Sequence, residues 1–256
     1  MDRLGIAVLC LAAGLAAAGL LYLDRNGFSD RAVSAGPDLT RLERQLEARG
    51  VALGAPVFMR LFKSSSKLEL WLRKGPRYIR FASYRICRWS GRLGPKLREG
   101  DGQGPEGFYT VALRQLNPNS RWHRSFNLDF PNALDRANGR TGSYVTIRGG
   151  CKSRGGYAMT DRVMDEIWHL ASAALAAGQA RIHVHIFPFR MTDRNLRRHA
   201  GKWRGFWSGL KRGYDIFESS QVPPNVSVCR RRYVLQPGAE GDTRIRVRCP
   251  RGVPTS

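Results

Sequence analysis

The residues able to do chemistry gather in one glycine-rich run, Arg148-Gly149-Gly150-Cys151-Lys152-Ser153-Arg154-Gly155-Gly156-Tyr157, which holds a thiol, two hydroxyls and three cations. Positive neighbours favour thiolate over thiol, and the thiolate is the form that attacks a carbonyl, so Cys151 is a candidate nucleophile. The competing expectation is a packed, structural cysteine. Cys10, Cys87, Cys151, Cys229 and Cys249 show no C-x-x-C spacing, which argues against a zinc or thioredoxin-type site. His123, His169, His183, His185 and His199 have no metal-ligand spacing either. His183 and His185 fall on one face of a strand and read as packed or surface residues, and no metal or cofactor is expected.

Charge sets the class of partner without choosing among them. With 43 Lys and Arg against 20 Asp and Glu, the net charge is +23. Such a chain is drawn to nucleic acid, lipid headgroups or anionic envelope polymers. Beyond the apolar N-terminal stretch the basic residues are scattered from Arg25 to Arg251, not gathered into one run. That pattern fits a compositional bias as well as a dedicated surface, and no nucleic-acid partner is expected.

The elements that must position these residues follow from hydropathy. Leu4 to Leu23 is almost wholly apolar and long enough to span a bilayer, so residues 1–23 read as a signal peptide or an N-terminal membrane anchor. Ala16-Ala17-Ala18 before Gly19 would suit cleavage. Residues 24–38 read as a linker. A main domain is expected over 39–235, and a C-terminal hairpin and tail over 236–256.

Within the domain, a short helix is expected at about 39–48, a strand meander from 57 to 84, and a long loop over 90–107. Strands follow near 108–116, 122–128 and 143–148. A helix capped by Thr160 or Asp161 should run to about 177, followed by a strand at 181–187 and one helix over 193–217. In the tail, runs at 229–235 and 243–249 flank a turn at 236–242. Pairing them places Cys229 opposite Cys249 and predicts a disulfide. Strands first and helices later indicate an α+β, mainly β domain.

Several segments together resemble the L,D-transpeptidase (YkuD-like) family, in particular its YafK-like branch of murein L,D-transpeptidases. They are GAPVFMRLFK at 54–63, WSGRLGPKLREGDGQGPEGFYTV at 89–111, LNPNSRWHRSFNLDFPNALDRANGRTGSYVTIRGGC at 116–151, SRGGYAMTD at 153–161, HIFPFRMT at 185–192 and FWSGLKRGYDIFE at 206–218. Gly104-Pro105-Glu106-Gly107-Phe108 is similar to the family's TPxGxF signature. The resemblance implies a β-sandwich-type catalytic domain with added helices. It also implies a groove for peptidoglycan stem peptides, lined here by Arg148, Gly149, Ser153, Arg154, Gly155, Gly156 and Tyr157. In the family a histidine-activated thiolate attacks the stem peptide, and backbone N–H groups steady the oxyanion.

The branch pattern His-Gly-x-Cys-x-Ser-x-Gly-Cys-Tyr-Ala-Met-Thr aligns Arg148 with the histidine and Gly156 with the nucleophile. Glycine forms no acyl-enzyme and arginine accepts no proton, so the family mechanism is not expected to run. Cys87 and Cys151 both belong to the branch pattern, bonded or simply buried.

Three expectations stand: a pseudoenzyme of the periplasm or cell envelope that binds stem peptides or an envelope protein attached to peptidoglycan; an active transpeptidase or hydrolase using Cys151; and a basic scaffold on anionic lipid or polymer. The protein would be secreted, or held in the inner membrane through residues 4–23 if these are uncleaved. Restoring both motif residues, Gly156→Cys with Arg148→His, is expected to restore acylation.

Overall fold

The computed structural model describes residues 38–199, 201–238 and 244–250. The expected signal or anchor segment, and the linker up to residue 37, lie outside the described residues. Among the described residues no helix is long and apolar enough to cross a membrane.

Helix α1 (Leu39–Glu47) starts where the Asp38 side chain accepts the Arg41 backbone N–H, and it buries Leu42 and Leu46 one turn apart. Strands β1 (Val57–Phe62), β2 (Lys67–Lys74) and β3 (Arg77–Arg85) form the meander. They join β5 (Gly107–Val111) and β10 (Ile182–Phe187) in a five-stranded sheet of order β3-β2-β1-β10-β5, in which only β1 and β10 run parallel. Every residue of β1 is buried, because both faces are covered. Met59 and Leu61 enter a core with α1 and helix α3 (Asp161–Ala176), whereas Phe62 faces a second core built by α5 (Arg204–Ser220).

A second five-stranded sheet has the order β4-β9-β8-β7-β6. It comprises β4 (Arg88–Trp89), β6 (Leu116–Asn117), β7 (Ser125–Asn127), β8 (Thr146–Arg148) and β9 (Tyr157–Ala158). The short helix α2 (Ala133–Ala137) precedes β8 and is capped by Asn132. The fold is α+β and mainly β.

Two expectations are corrected. The single helix over 193–217 is two helices, α4 (Asp193–Arg198) and α5, separated around Gly201 where helix propensity is poor. The ring of His199, which ends α4, stacks on Phe189 at 4.6 Å.

The tail also pairs differently. Arg230 and Arg231 both take left-handed φ values, 48° and 60°, as a two-residue hairpin turn requires. They split the expected 229–235 strand into β11 (Asn225–Cys229) and β12 (Arg232–Gln236), which form the hairpin. The last strand, β13 (Arg246–Val247), runs parallel to β11 on its other edge. Cys229 and Cys249 are nevertheless disulfide-bonded, with Cα atoms 4.9 Å apart. The bridge joins parallel neighbours, not the arms of a hairpin.

Candidate functional site

The glycine-rich run connects β8 to β9, which lie side by side and parallel, with Ile147 opposite Tyr157 and Arg148 opposite Ala158. Parallel neighbours usually need a long crossover. Here the chain doubles back through left-handed backbone at Gly150 (φ 83°), Cys151 (φ 48°) and Gly155 (φ 89°). The loop is pinned along its length. The N–H of Gly149 donates to Arg124 O (3.3 Å), that of Gly150 to Asp161 Oδ1 (2.7 Å) and that of Cys151 to Met159 O (3.2 Å). A disulfide joins Cys151 to Cys87, beside β4. The sulfur proposed as a displaced nucleophile is therefore committed to a covalent bond.

At the far end of the loop, Ser153 Oγ donates to Gly156 O (2.7 Å) and accepts from Gly156 N (3.3 Å), while Ser90 Oγ lies 2.7 Å from it. Tyr157 is fully buried and its hydroxyl donates to Pro105 O at 2.6 Å. Burial, aided by the charge of Glu106, pushes the phenol well above its usual pKa, so it is no base. Gly156 is buried, and a β-carbon on it would sit 2.5 Å from Thr146 O and 3.3 Å from Thr146 N. Those are backbone atoms of β8, which do not swing aside as a flexible side chain does. The adjacent Gly155 is open by comparison, its nearest such neighbour being Gln103 O at 4.0 Å.

Arg148 turns to the opposite end. Its guanidinium carbon stands 4.9 Å from the centre of the Trp122 ring, with Arg121 at 5.4 Å and Lys152 Nζ at 6.0 Å from the same ring. Next to it, His123 adopts φ 67° and places Nε2 2.6 Å from Asp165 Oδ1, an oxygen shared with Arg124 at 3.4 Å.

A cleft of 540 Å³ opens beside the Ser153 end, walled by Trp89, Ser90, Lys96, Tyr144, Arg154 and Gly155 among others. Its outer wall is the long loop between β4 and β5, which is tied to the core. Lys63, with no solvent exposure, shares its three N–H donors among four acceptors within reach of Nζ: Arg92 O (2.6 Å), Gly94 O (3.2 Å), Gly104 O (3.1 Å) and Glu106 Oε1 (3.0 Å).

Of the residues expected to bind substrate, Ser153, Arg154 and Gly155 line this cleft. Arg148 and Gly149 face Trp122 and the His123–Asp161 corner instead. Cys229 ends β11 and Cys249 lies two residues past β13, where it lines a separate cleft with Arg244, Arg246 and Arg248. Sequence reasoning passed over Trp122, Ser90, Asp161 and Lys63. An exposed tryptophan set between arginines was the one available signal; the others become partners only through folding. Among the described residues no group of three potential ligands could hold a metal.

No family model matches the chain. The candidate L,D-transpeptidase YafK of Escherichia coli K12 is 48% identical over 184 residues, covering 72% of this chain and 75% of that protein, and its counterpart in strain O157:H7 matches equally. Among solved structures, the helical cell shape determining protein Pgp2 of Campylobacter jejuni aligns with a TM-score of 0.42 and 18% identity, over 72% of this chain and 79% of that one. A variant of Pgp2 aligns over 61% of its own chain, so this chain spans less than two thirds of it. Bd1075 of Bdellovibrio bacteriovorus aligns with a TM-score of 0.39 and 15% identity, over 75% of this chain and 91% of that one. By its identity to YafK and the extent of the match, the chain belongs to the YafK-like branch of the L,D-transpeptidases.

Proposed function

We propose that this protein is a non-catalytic member of its family that binds peptidoglycan stem peptides in the cell envelope. The observation that carries the reading is Gly156. In the motif comparison it stands where the nucleophile belongs, it offers no atom for an acyl-enzyme, and the β8 carbonyl of Thr146 occupies the space of a side chain. Arg148, at the histidine position, remains charged although burial lowers its pKa, and it has no lone pair to accept a proton. The Cys87–Cys151 bond leaves no thiolate in the loop. Two disulfides suit an oxidising compartment, and residues 1–23 would direct export there.

The test is retention on purified sacculi across a salt series, together with intact-mass spectrometry after carbapenem exposure. Groove recognition should survive salt that screens charge attraction, and no adduct should form. Binding that vanishes with salt would support the anionic-scaffold alternative. A wild-type adduct lost in Cys151→Ala would make the protein an enzyme.

A further inference from the structure

The chemistry left over at the candidate site is the three-cation cluster on Trp122. Arg121, Arg148 and Lys152 crowd one indole, and among the described residues none of the three forms an ion pair or a side-chain hydrogen bond. Arg148 Nη1 is closed off from solvent with no acceptor. A buried, unpaired donor carries an unmet desolvation cost, and three like charges around one ring repel one another. The neighbouring carboxylates face other partners, Asp161 Oδ1 accepting the Gly150 N–H and Asp165 Oδ1 serving His123 and Arg124, and neither forms an ion pair with any of the three cations. What the three cations lack, among the described residues, is a paired anion.

Its type follows from the surrounding groups. The N–H groups of Gly149, Gly150 and Cys151 all donate within the protein, so this stretch is no backbone cradle for a phosphate. Recognition falls to a planar guanidinium fork beside the indole of Trp122, a residue 38% exposed, which suit a flat carboxylate on an aliphatic carbon. We infer that Arg148, supported by Trp122, Arg121 and Lys152, is a receptor for the free C-terminal α-carboxylate of a peptide. The inference deepens the stem-peptide reading and rests on it for the identity of the peptide. The guanidinium would engage the carboxylate through two N–H donors.

The experiment is calorimetric titration of the full chain with a synthetic stem tetrapeptide, the same peptide as its C-terminal amide, N-acetyl-D-alanine and inorganic phosphate. Wild type should bind the acid about tenfold more tightly than the amide. Arg148→Gln should erase that difference, and Arg148→Lys, which loses the fork, should recover only part of it. Equal binding of acid and amide by wild type overturns the receptor and leaves the stem-peptide reading intact. Binding of N-acetyl-D-alanine that depends on Arg148, with neither peptide binding, upholds the receptor and removes the stem-peptide reading. Phosphate competing as well as the acid, or no carboxylate binding at all, overturns the receptor.

Discussion

Lys63 Nζ and Glu106 Oε1 lie 3.0 Å apart with both side chains wholly shut from solvent. Glu106 also accepts from Gly94 N (2.7 Å) and Trp207 Nε1 (2.8 Å), so one carboxylate ties the cleft loop to β1 and to α5. Burial lowers the Lys63 pKa, and attraction to Glu106 opposes that shift.

Lys63→Met should cost about 3–5 kcal/mol, because it strands a buried carboxylate. Denaturant unfolding measures the loss, and limited proteolysis should nick the 90–106 loop first. Adding Glu106→Gln should recover part of the stability, since the stranded charge is gone. Strictly additive losses would mean that the two residues are not coupled.

Gly156→Ala should destabilise by about 1–3 kcal/mol, because its methyl group meets the Thr146 backbone. For the same reason Gly156→Cys with Arg148→His, which the motif alone would restore to activity, should yield no carbapenem adduct by intact mass. A stoichiometric adduct would show that β8 gives way and that the two side-chain replacements alone account for the proposed lack of catalysis.

Cys151→Ala should lower the melting temperature without altering ligand binding at the cleft. The Cys87–Cys151 bridge spans 64 residues of sequence. Closing a loop of that order contributes about 4 kcal/mol by restricting the unfolded chain. Alkylation without reductant should leave Cys87, Cys151, Cys229 and Cys249 unmodified; labelling of Cys151 would contradict the bridge.

His185 predicts a loss of stability on the acid side. Its ring lies among Phe58, Phe108 and Phe187, and neither nitrogen has a partner among the described residues. Burial first, then the charges of His183 and Arg60, hold its pKa well below the usual value. The unfolded chain therefore binds a proton near pH 6.5 that the folded chain refuses. Stability is full above about pH 6.5 and falls as pH drops below it, by up to about 1.4 kcal/mol per pH unit. Between pH 7.5 and 5.5, wild type should lose about 1.4 kcal/mol more than His185→Phe, as measured by urea unfolding.

Local pattern was enough for the longer elements around the site, but not for the two-residue strands β4 and β9 of its own sheet. Alternation marked the β1 to β3 meander, and Thr160, whose side chain accepts the Val163 N–H, marked the start of α3. The motif between 148 and 160 was legible for a similar reason, since its spacing is itself sequence information.

Only the tertiary structure decided what those residues touch. That Gly156 lies against Thr146, that Cys151 reaches Cys87, and that Arg148 shares one indole with Arg121 and Lys152 are contacts between segments brought together by strand pairing. The tail shows the same division. The sequence by itself determined that Cys229 and Cys249 sit on two strand-like runs. The left-handed turn at Arg230 and Arg231 sends β12 back along one edge of β11, and β13 takes the other edge, parallel to β11, a pairing between segments distant in sequence that local pattern does not carry.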